Sequence, residues 1–329
     1  MPNSKYPRGS EWRRWDLHIH TSFSALNNGF GTDFPQYAKR LFEKAVKKEI
    51  AVIGVTDYFS IMGYRKLREL VEDGERLENL VGADIAAKVR EIRLLPNIEL
   101  RTSVIIARPD HSNSRVNFHV IFSDEVDAQA IEDHFLHDLK FTAESSPADP
   151  DQRWPLTVAN LESLGSKLKN EQEEFRRLSD LQVGMMNAVI VAEDVRSVLQ
   201  NRAMLFKDRH LLVVPADEDL SECSWTGQAH QTRKLFIQMS HMLFSSNPGT
   251  RAFGLGMKHL TVRDFVREFK SRKPCVHGSD AHEYGNLFEP AEGRQLWIKA
   301  DPTFQGLRQL LHEPESRVYI GPEHPSFRA

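Results

Sequence analysis

Five short apolar runs in this chain each carry, or end on, an imidazole or a carboxylate, and that repetition limits the possible folds more than any other feature. The first is the alternating stretch through Asp16, His18 and His20. Side chains two apart on an extended strand point the same way, so these three share a face. Asp57 follows Ile50 to Val55, Glu99 sits within Leu94 to Leu100, His119 within Val116 to Phe122, and Asp280 with His282 follows Cys275 and Val276. Apolar runs of this length, separated by helix-period segments, read as buried strands. Polar groups gathered at strand ends are how β/α barrels build their sites. Imidazole mixed with carboxylate suits Zn, Mn or Fe. The pattern predicts an α/β barrel with one polynuclear metal site drawn from distant parts of the chain.

A length of 329 residues with 40 % hydrophobic content suffices for one large barrel or two ordinary domains. The net charge of −3 excludes bulk attraction to nucleic acid or anionic membranes, so any grip on a phosphate backbone must come from local Arg and Lys groups. The two cysteines, Cys223 and Cys275, have no pairing spacing and fit a reducing cytoplasm. No apolar run reaches membrane-spanning length, and the basic N-terminal stretch with Lys5, Arg8, Arg13 and Arg14 lacks the apolar segment of a secretory signal. A cytoplasmic protein without a membrane partner is expected.

Residues 22–33 form a polar loop and Tyr37 to Lys48 a helix pattern, followed by helix-like sequence from Ile61 to Val89. Turn chemistry between Arg108 and Arg115 predicts that the strands carrying Glu99 and His119 form a hairpin, which makes the barrel irregular. Residues 124–205 read as an insertion: an acidic stretch containing Pro147 and Pro150, then helical sequence from Thr157 to about Asn201. Strand patterns resume at Leu211 to Ala216, His241 to Ser245 and Pro274 to His277. A helix (Phe304 to His312), a strand (Val318 to Ile320) and a tail (323–329) follow.

With these residues in hand, the chain resembles the polymerase and histidinol phosphatase (PHP) superfamily. Asp16-Leu-His18-Ile-His20-Thr21 is similar to its first motif, Gly54-Val-Thr-Asp57 to its second, Asn97-Ile-Glu99 to its third and Gly278-Ser-Asp280-Ala-His282 to its last. The ordered set spans residues 10–322. Within the superfamily the chain is similar to TrlF-like proteins, whose PHP domain is attached to an AAA or SMC-like ATPase, through Gly9 to Trp15, Thr56 to Ser60 and Trp297 to Thr303. The resemblance implies a distorted seven-stranded β/α barrel, metal-dependent phosphoester hydrolysis and, for some relatives, antiviral defence.

It also implies site roles. His18, His20, Glu99 and Asp280 hold one metal, and Glu99 bridges to a second held by His119 and by a carboxylate, Asp217 or Glu218. His282 is a ligand or a general acid, and Asp16 orients His18. Asp57 either acts directly or caps the next segment, and Arg101, on the parity of Glu99, either steers a phosphate or is an ordinary ion-pairing arginine. Tyr58 stands where three-metal members carry His, and Leu26 and Asn27 are poor ligands, so two divalent ions are expected. His210 repeats the Asp-x-His spacing, but it precedes its apolar run and belongs at the other end of its strand. No G-x-x-x-x-G-K-[ST] loop occurs, so an ATPase would be a separate module or partner. The expectation is a metal-dependent phosphoesterase acting on DNA or RNA; a phosphomonoesterase and a non-catalytic module regulating an ATPase are the alternatives.

Overall fold

Period-two alternation in the first apolar run becomes a strand in which Trp15, Leu17 and Ile19 turn one buried face to the core and Asp16, His18 and His20 occupy the other. A computed structural model describes residues 10–107, 113–143, 152–217, 220–223, 229–258 and 261–323. The expected turn at 108–112, Pro147, Pro150, Glu218 and residues 324–329 of the tail lie outside them. In chain order the strands are β1 (Trp12–His20), β2 (Ile50–Tyr58), β3 (Arg93–Ala107), β4 (Asn113–Phe122), β5 (Lys140–Ala143) and β6 (Trp154–Pro155). Then come β7 (Ala188–Ile190), β8 (His210–Pro215), β9 (Met242–Phe244), β10 (Cys275–Val276), β11 (Gln295–Lys299) and β12 (Val318–Gly321).

β1, β2 and β3 run parallel, in a register that sets Tyr58 opposite Glu99. β3 then pairs antiparallel with β4, which places Glu99 opposite His119. β4 pairs antiparallel with β8, and β8, β9 and β10 continue in parallel. The outer edge of β1 is shared. Its first half pairs antiparallel with β11, while its second half takes the segment after β10 through Leu17 N–H to His277 O (3.3 Å), Asp280 N–H to His18 O (2.8 Å) and His20 N–H to Ala281 O (3.1 Å). The sheet is thereby bent into a nearly closed barrel.

Its strand count exceeds the seven expected. β1 to β4 and β8 to β10 form the wall, β11 and β12 extend the path beyond β1, and β5 to β7 make a side sheet joined to β3 at Thr102 and Ile190. β11, five residues long, is not among the strands expected from the sequence. The stretch from Thr157 to Asn201 is broken into helices Val158–Glu171, Asp180–Asn187 and Ala192–Asn201. The first two cross where Gly165 meets the Asp180 carbonyl and Gly184 meets the Leu161 carbonyl, an approach no side chain would allow.

Four helices, α1 (Phe34–Lys47), α2 (Met62–Glu72), α3 (Gly74–Val81) and α4 (Ala83–Val89), cover the outside of β1 to β3. The α1 residues Tyr37, Ala38, Leu41, Phe42 and Ala45 recur at helical spacing and are buried against Ile19, Ile53 and Val55. Asp33 caps α1 by accepting from Gln36 N–H, with Pro35 in the first turn. The Tyr37 hydroxyl donates to the His20 carbonyl at 2.9 Å, which ties this helix to the end of β1. No described helix is long and apolar enough to cross a membrane.

β1 and β2 approach so closely at Gly54 that a Cβ there would collide with the Leu17 carbonyl. Gly54→Ala is therefore expected to destabilise the fold by about 3 kcal/mol, the upper end for a point change, in urea unfolding. Gly285→Ala, with only one side-chain atom within 4 Å of its new methyl, should cost less than about 0.5 kcal/mol. Equal losses at the two positions would contradict the β1–β2 packing.

Candidate metal centre

The parity of β1, the Glu99–His119 register and the segment after β10 bring six of the expected side chains together. His18 Nε2 lies 3.2 Å from His20 Nε2, 3.4 Å from Glu99 Oε2 and 3.2 Å from Asp280 Oδ1. His20 Nε2 lies 3.2 Å from Glu99 Oε2 and 3.5 Å from Asp280 Oδ1. His282 Nε2 adds a contact to Asp280 Oδ1 at 3.4 Å. Two groups have the compactness of a cation site, His18 with Glu99 and His119, and His18 with His20 and Asp280. They share His18, while Glu99 Oε2 reaches into both.

Burial is graded across the cluster. His20 and His119 are fully buried, whereas the Asp280 side chain is 41 % exposed and that of His282 22 %. Any substrate therefore meets the Asp280 and His282 side first. Asp280 holds a left-handed backbone (φ 49°), a conformation that costs roughly 1 kcal/mol and that Asp tolerates better than most residues.

Neighbouring polar groups fix the orientation of the ligands. Asn97 donates from Nδ2 to the Leu17 carbonyl and to Thr56 Oγ1, which leaves its Oδ1 as acceptor, 3.3 Å from His119 Nδ1. The proton then sits on Nδ1 and the Nε2 lone pair faces the cluster. His20 Nδ1 lies 3.0 Å from Ser24 Oγ, which holds the ring with its Nε2 toward the cluster. Asn117 donates to Glu99 Oε1 at 2.6 Å. Asp16 accepts from the backbone N–H groups of His18 (3.2 Å) and Ser279 (3.0 Å), so it orients the main chain of His18 rather than its ring. Burial pushes the Asp16 carboxyl up to about 6 against those bonds.

Three sequence candidates do not join the cluster. Asp57 spends both oxygens on the Thr21 hydroxyl (2.9 and 3.0 Å) and the Gly63 N–H (3.1 Å), and burial pushes it up to about 6, so it clamps the end of β1 to α2. Asp217 accepts from the hydroxyls of Ser245 (2.6 Å) and Thr250 (3.0 Å), which use both carboxylate oxygens. Arg101 donates to the Met186 carbonyl at 3.0 Å. His210 sits at the start of β8, its Nδ1 2.8 Å from the Phe206 carbonyl, away from the cluster. Tyr58 stacks on His20 with ring centroids 4.7 Å apart, and His20 stacks on His282 at 4.0 Å. Tyr58 is a wall of the site. Asn97, Asn117 and Ser24 were not singled out as partners from the sequence, yet Asn97 and Asn117 each lie two residues from a ligand on its own strand, where the same period-two reasoning finds them.

The donor set fits a divalent cation. Glu99 Oε2 and His119 Nε2 are both buried and have no hydrogen-bond partner among the described residues, a costly state unless a ligand completes them. Burial pushes the Glu99 carboxyl up, but His119, His18 and His20 outweigh it and hold the group below the usual carboxylate range. Asp280 is likewise held low against its burial by His18, His20 and His282. Burial, with like charge from His18 and His20, pushes His119 down to about 3. His20 is raised against its burial by Asp280 and Glu99. Ionised carboxylates and neutral imidazoles are the forms that bind metal.

No family model and no curated protein matches the chain. Among solved structures it is similar to a protein of Bifidobacterium adolescentis provisionally named a metal-dependent phosphoesterase, at 12 % identity and TM-score 0.42, covering 92 % of this chain and 97 % of that one. It is similar to PsfC of Pseudomonas syringae at 14 % and 0.39, covering 90 % and 88 %. It is also similar to an amidohydrolase of Chromobacterium violaceum with bound sulfate and no metal, at 13 % and 0.43, covering 95 % and 99 %. Likenesses at this level leave function to be argued from the site itself.

Two divalent ions per chain are expected at saturation, because His18, common to both compact groups, can ligate only one ion and leaves Glu99 and His119 for the second; metal analysis showing three would disprove the count. Ser24→Ala should lower affinity about tenfold with stability nearly unchanged, because it releases the His20 ring. Competition with a fluorescent chelator measures that affinity, and an unaltered value would mean that Ser24 does not set the ring.

Proposed function

We propose that this chain is a metal-dependent phosphoesterase with a PHP-type centre, acting on phosphodiesters of DNA or RNA. The observation that carries the reading is the convergence of His18, His20, Glu99, His119 and Asp280, with Glu99 Oε2 set between two imidazoles and His119 Nε2 buried without a hydrogen-bond partner among the described residues. These residues would hold the ions, with Zn, Mn or Fe suited to the donor set. A bound divalent cation supplies Lewis acidity at a phosphoryl oxygen and a nucleophile at neutral pH.

The chain's own groups then divide the remaining work. Asn97, Asn117 and Ser24 keep the ligands aimed inward. Tyr58 and Phe244 wall the site with rings packed on His20 and His18, which limits water on that side. His282 is the proton-donor candidate for the leaving oxygen, because it is the most exposed imidazole of the cluster. That exposed side is also what favours a phosphate within a polymer over a small enclosed substrate. Arg101, half-buried two residues along β3 from Glu99, is the cation proposed to contact the phosphate backbone. The ATPase partnership and the defence role implied by the TrlF-like resemblance belong to this proposal as its wider setting.

Glu99→Gln should reduce cleavage of single-stranded DNA or RNA by the Mn- or Zn-loaded chain at least about a hundredfold, because a neutral amide cannot replace the carboxylate. Arg101→Ala should raise KM with metal content unchanged. His210→Ala should keep activity within about threefold. A loaded chain that cleaves p-nitrophenyl phosphate but no oligonucleotide would replace the nuclease with a phosphomonoesterase. A loaded chain that cleaves neither would leave the non-catalytic ATPase-regulating module.

A further inference from the structure

At the opposite end of the barrel strands from the metal cluster lies a cavity of about 600 Å³. His210 opens β8, His241 immediately precedes β9 and Lys273 precedes β10 by two residues, and all three line it. We propose that this mouth is a second ligand site, built for a small organic di- or triphosphate of the nucleotide class. This inference is independent of the phosphoesterase reading, because no member of the cluster lines the cavity.

Charge carries the first part of the argument. Arg196, Lys207, Lys270, Lys273 and Arg308 line the cavity, and Asp208 is the one acidic residue among its lining. Asp208 is already paired with Arg308 at 2.7 Å. Arg196, Lys207 and Lys270 make no ion pair among the described residues. This concentration of cations occurs in a chain whose net charge is −3, so composition does not account for it. Unpaired cations around a concave, partly apolar surface focus the field on an anion there.

Lys273 carries the second part. It is 1 % exposed, and its ammonium donates to the Ser240 carbonyl (2.6 Å) and Ser271 Oγ (3.0 Å), with no carboxylate partner among the described residues. Burial alone pushes it down to about 8. A buried ammonium without a counter-ion is costly, and an anionic ligand would remove that cost. His241 accepts from Leu212 N–H at its Nδ1 (2.8 Å), so its neutral ring presents Nε2–H as a further donor. Burial and the charges of His210, Lys273, Arg308 and Arg196 push His241 down to about 4.

Shape supplies the last part. Leu199, Leu212, Met239 and Leu311 give the cavity an apolar side, which a bare phosphate would not use. The volume lies in the range of sites for cofactor-sized molecules. A ligand with a flat or apolar body and at least two negative charges satisfies both surfaces.

The test is calorimetric titration of the whole chain in EDTA with ADP, ATP and inorganic pyrophosphate, repeated on Glu99→Gln to exclude the metal cluster. ADP or ATP should bind with a Kd near or below about 100 µM, and pyrophosphate at least about tenfold more weakly. Arg196→Glu, an exposed change that breaks no hydrogen bond or ion pair among the described residues, should weaken binding at least about tenfold with an unaltered melting temperature. Lys273→Met should raise the melting temperature of the ligand-free chain and remove the rise that ADP produces; should it fail to fold, Arg196→Glu still gives the answer. Absence of binding at about 1 mM by all three compounds would overturn the site. Binding that Arg196→Glu leaves unchanged, or that Glu99→Gln abolishes, would also overturn it. Pyrophosphate binding as tightly as ADP would overturn the nucleotide class.

Discussion

The seam between the second half of β1 and residues 277–281 is the contact on which both the barrel and the metal cluster depend. Three backbone hydrogen bonds cross it, and they lie at Leu17, His18 and His20, within the stretch that supplies two ligands. The other side supplies Asp280 and His282. Gly278 makes the approach possible, because a Cβ there would come within 2.5 Å of His18 N and 2.7 Å of Asp16 Oδ1. Asp16 reinforces the join by accepting from both sides, His18 N–H and Ser279 N–H. Each backbone bond contributes only about 1 kcal/mol. Their positional effect is larger, since a slip of the seam by one residue would turn His18 and His20 away from Asp280.

A cluster of this kind works against the fold until a cation joins it. Glu99 is buried with one oxygen unbonded, and His119 Nε2 is in the same state, so desolvation is not fully compensated by hydrogen bonds. The positive φ of Asp280 adds strain at the one ligand that solvent reaches freely. Ion binding couples these costs to stability: a metal present at a thousand times its Kd adds about 4 kcal/mol, provided that the unfolded chain does not bind it.

Much of this was legible because parity survives folding. The face of β1 that holds Asp16, His18 and His20, the antiparallel pairing of β3 with β4, and the resumption of strands at β8, β9 and β10 all follow from period two and turn chemistry. What parity cannot supply is the distance from a strand end to the site, or which neighbours claim a carboxylate first. Asp217 follows β8 in sequence, yet Ser245 and Thr250, remote along the chain, take both of its oxygens. Asp57 follows its apolar run as expected, but Thr21 and Gly63 occupy it. The β1–β11 pairing was hidden for a related reason: strand pairing depends on an edge left open elsewhere, and no local pattern in Gln295–Lys299 announces which edge that is.

A net charge of −3 describes neither end of this barrel. Around the cluster, Glu99, Asp280, Asp16 and Asp57 bring carboxylates to the ends of parallel strands, and the imidazoles offset them only in part. Around the opposite mouth, Lys and Arg side chains surround the starts of β8, β9 and β10 with a single paired Asp among them. Summation over the chain cancels the two, and that is why composition excludes a bulk electrostatic partner while saying nothing of local ones. Screening shortens any interaction between the two ends to about 8 Å in solution at physiological salt, but the strands between them lie in the protein interior, where screening is weaker. The three strands β8, β9 and β10 run from the cationic mouth toward the segment that carries Asp280 and His282. The fold thus sets two regions of opposite charge at either end of the same strands, so that a charged ligand at one end meets a different field from a charged ligand at the other.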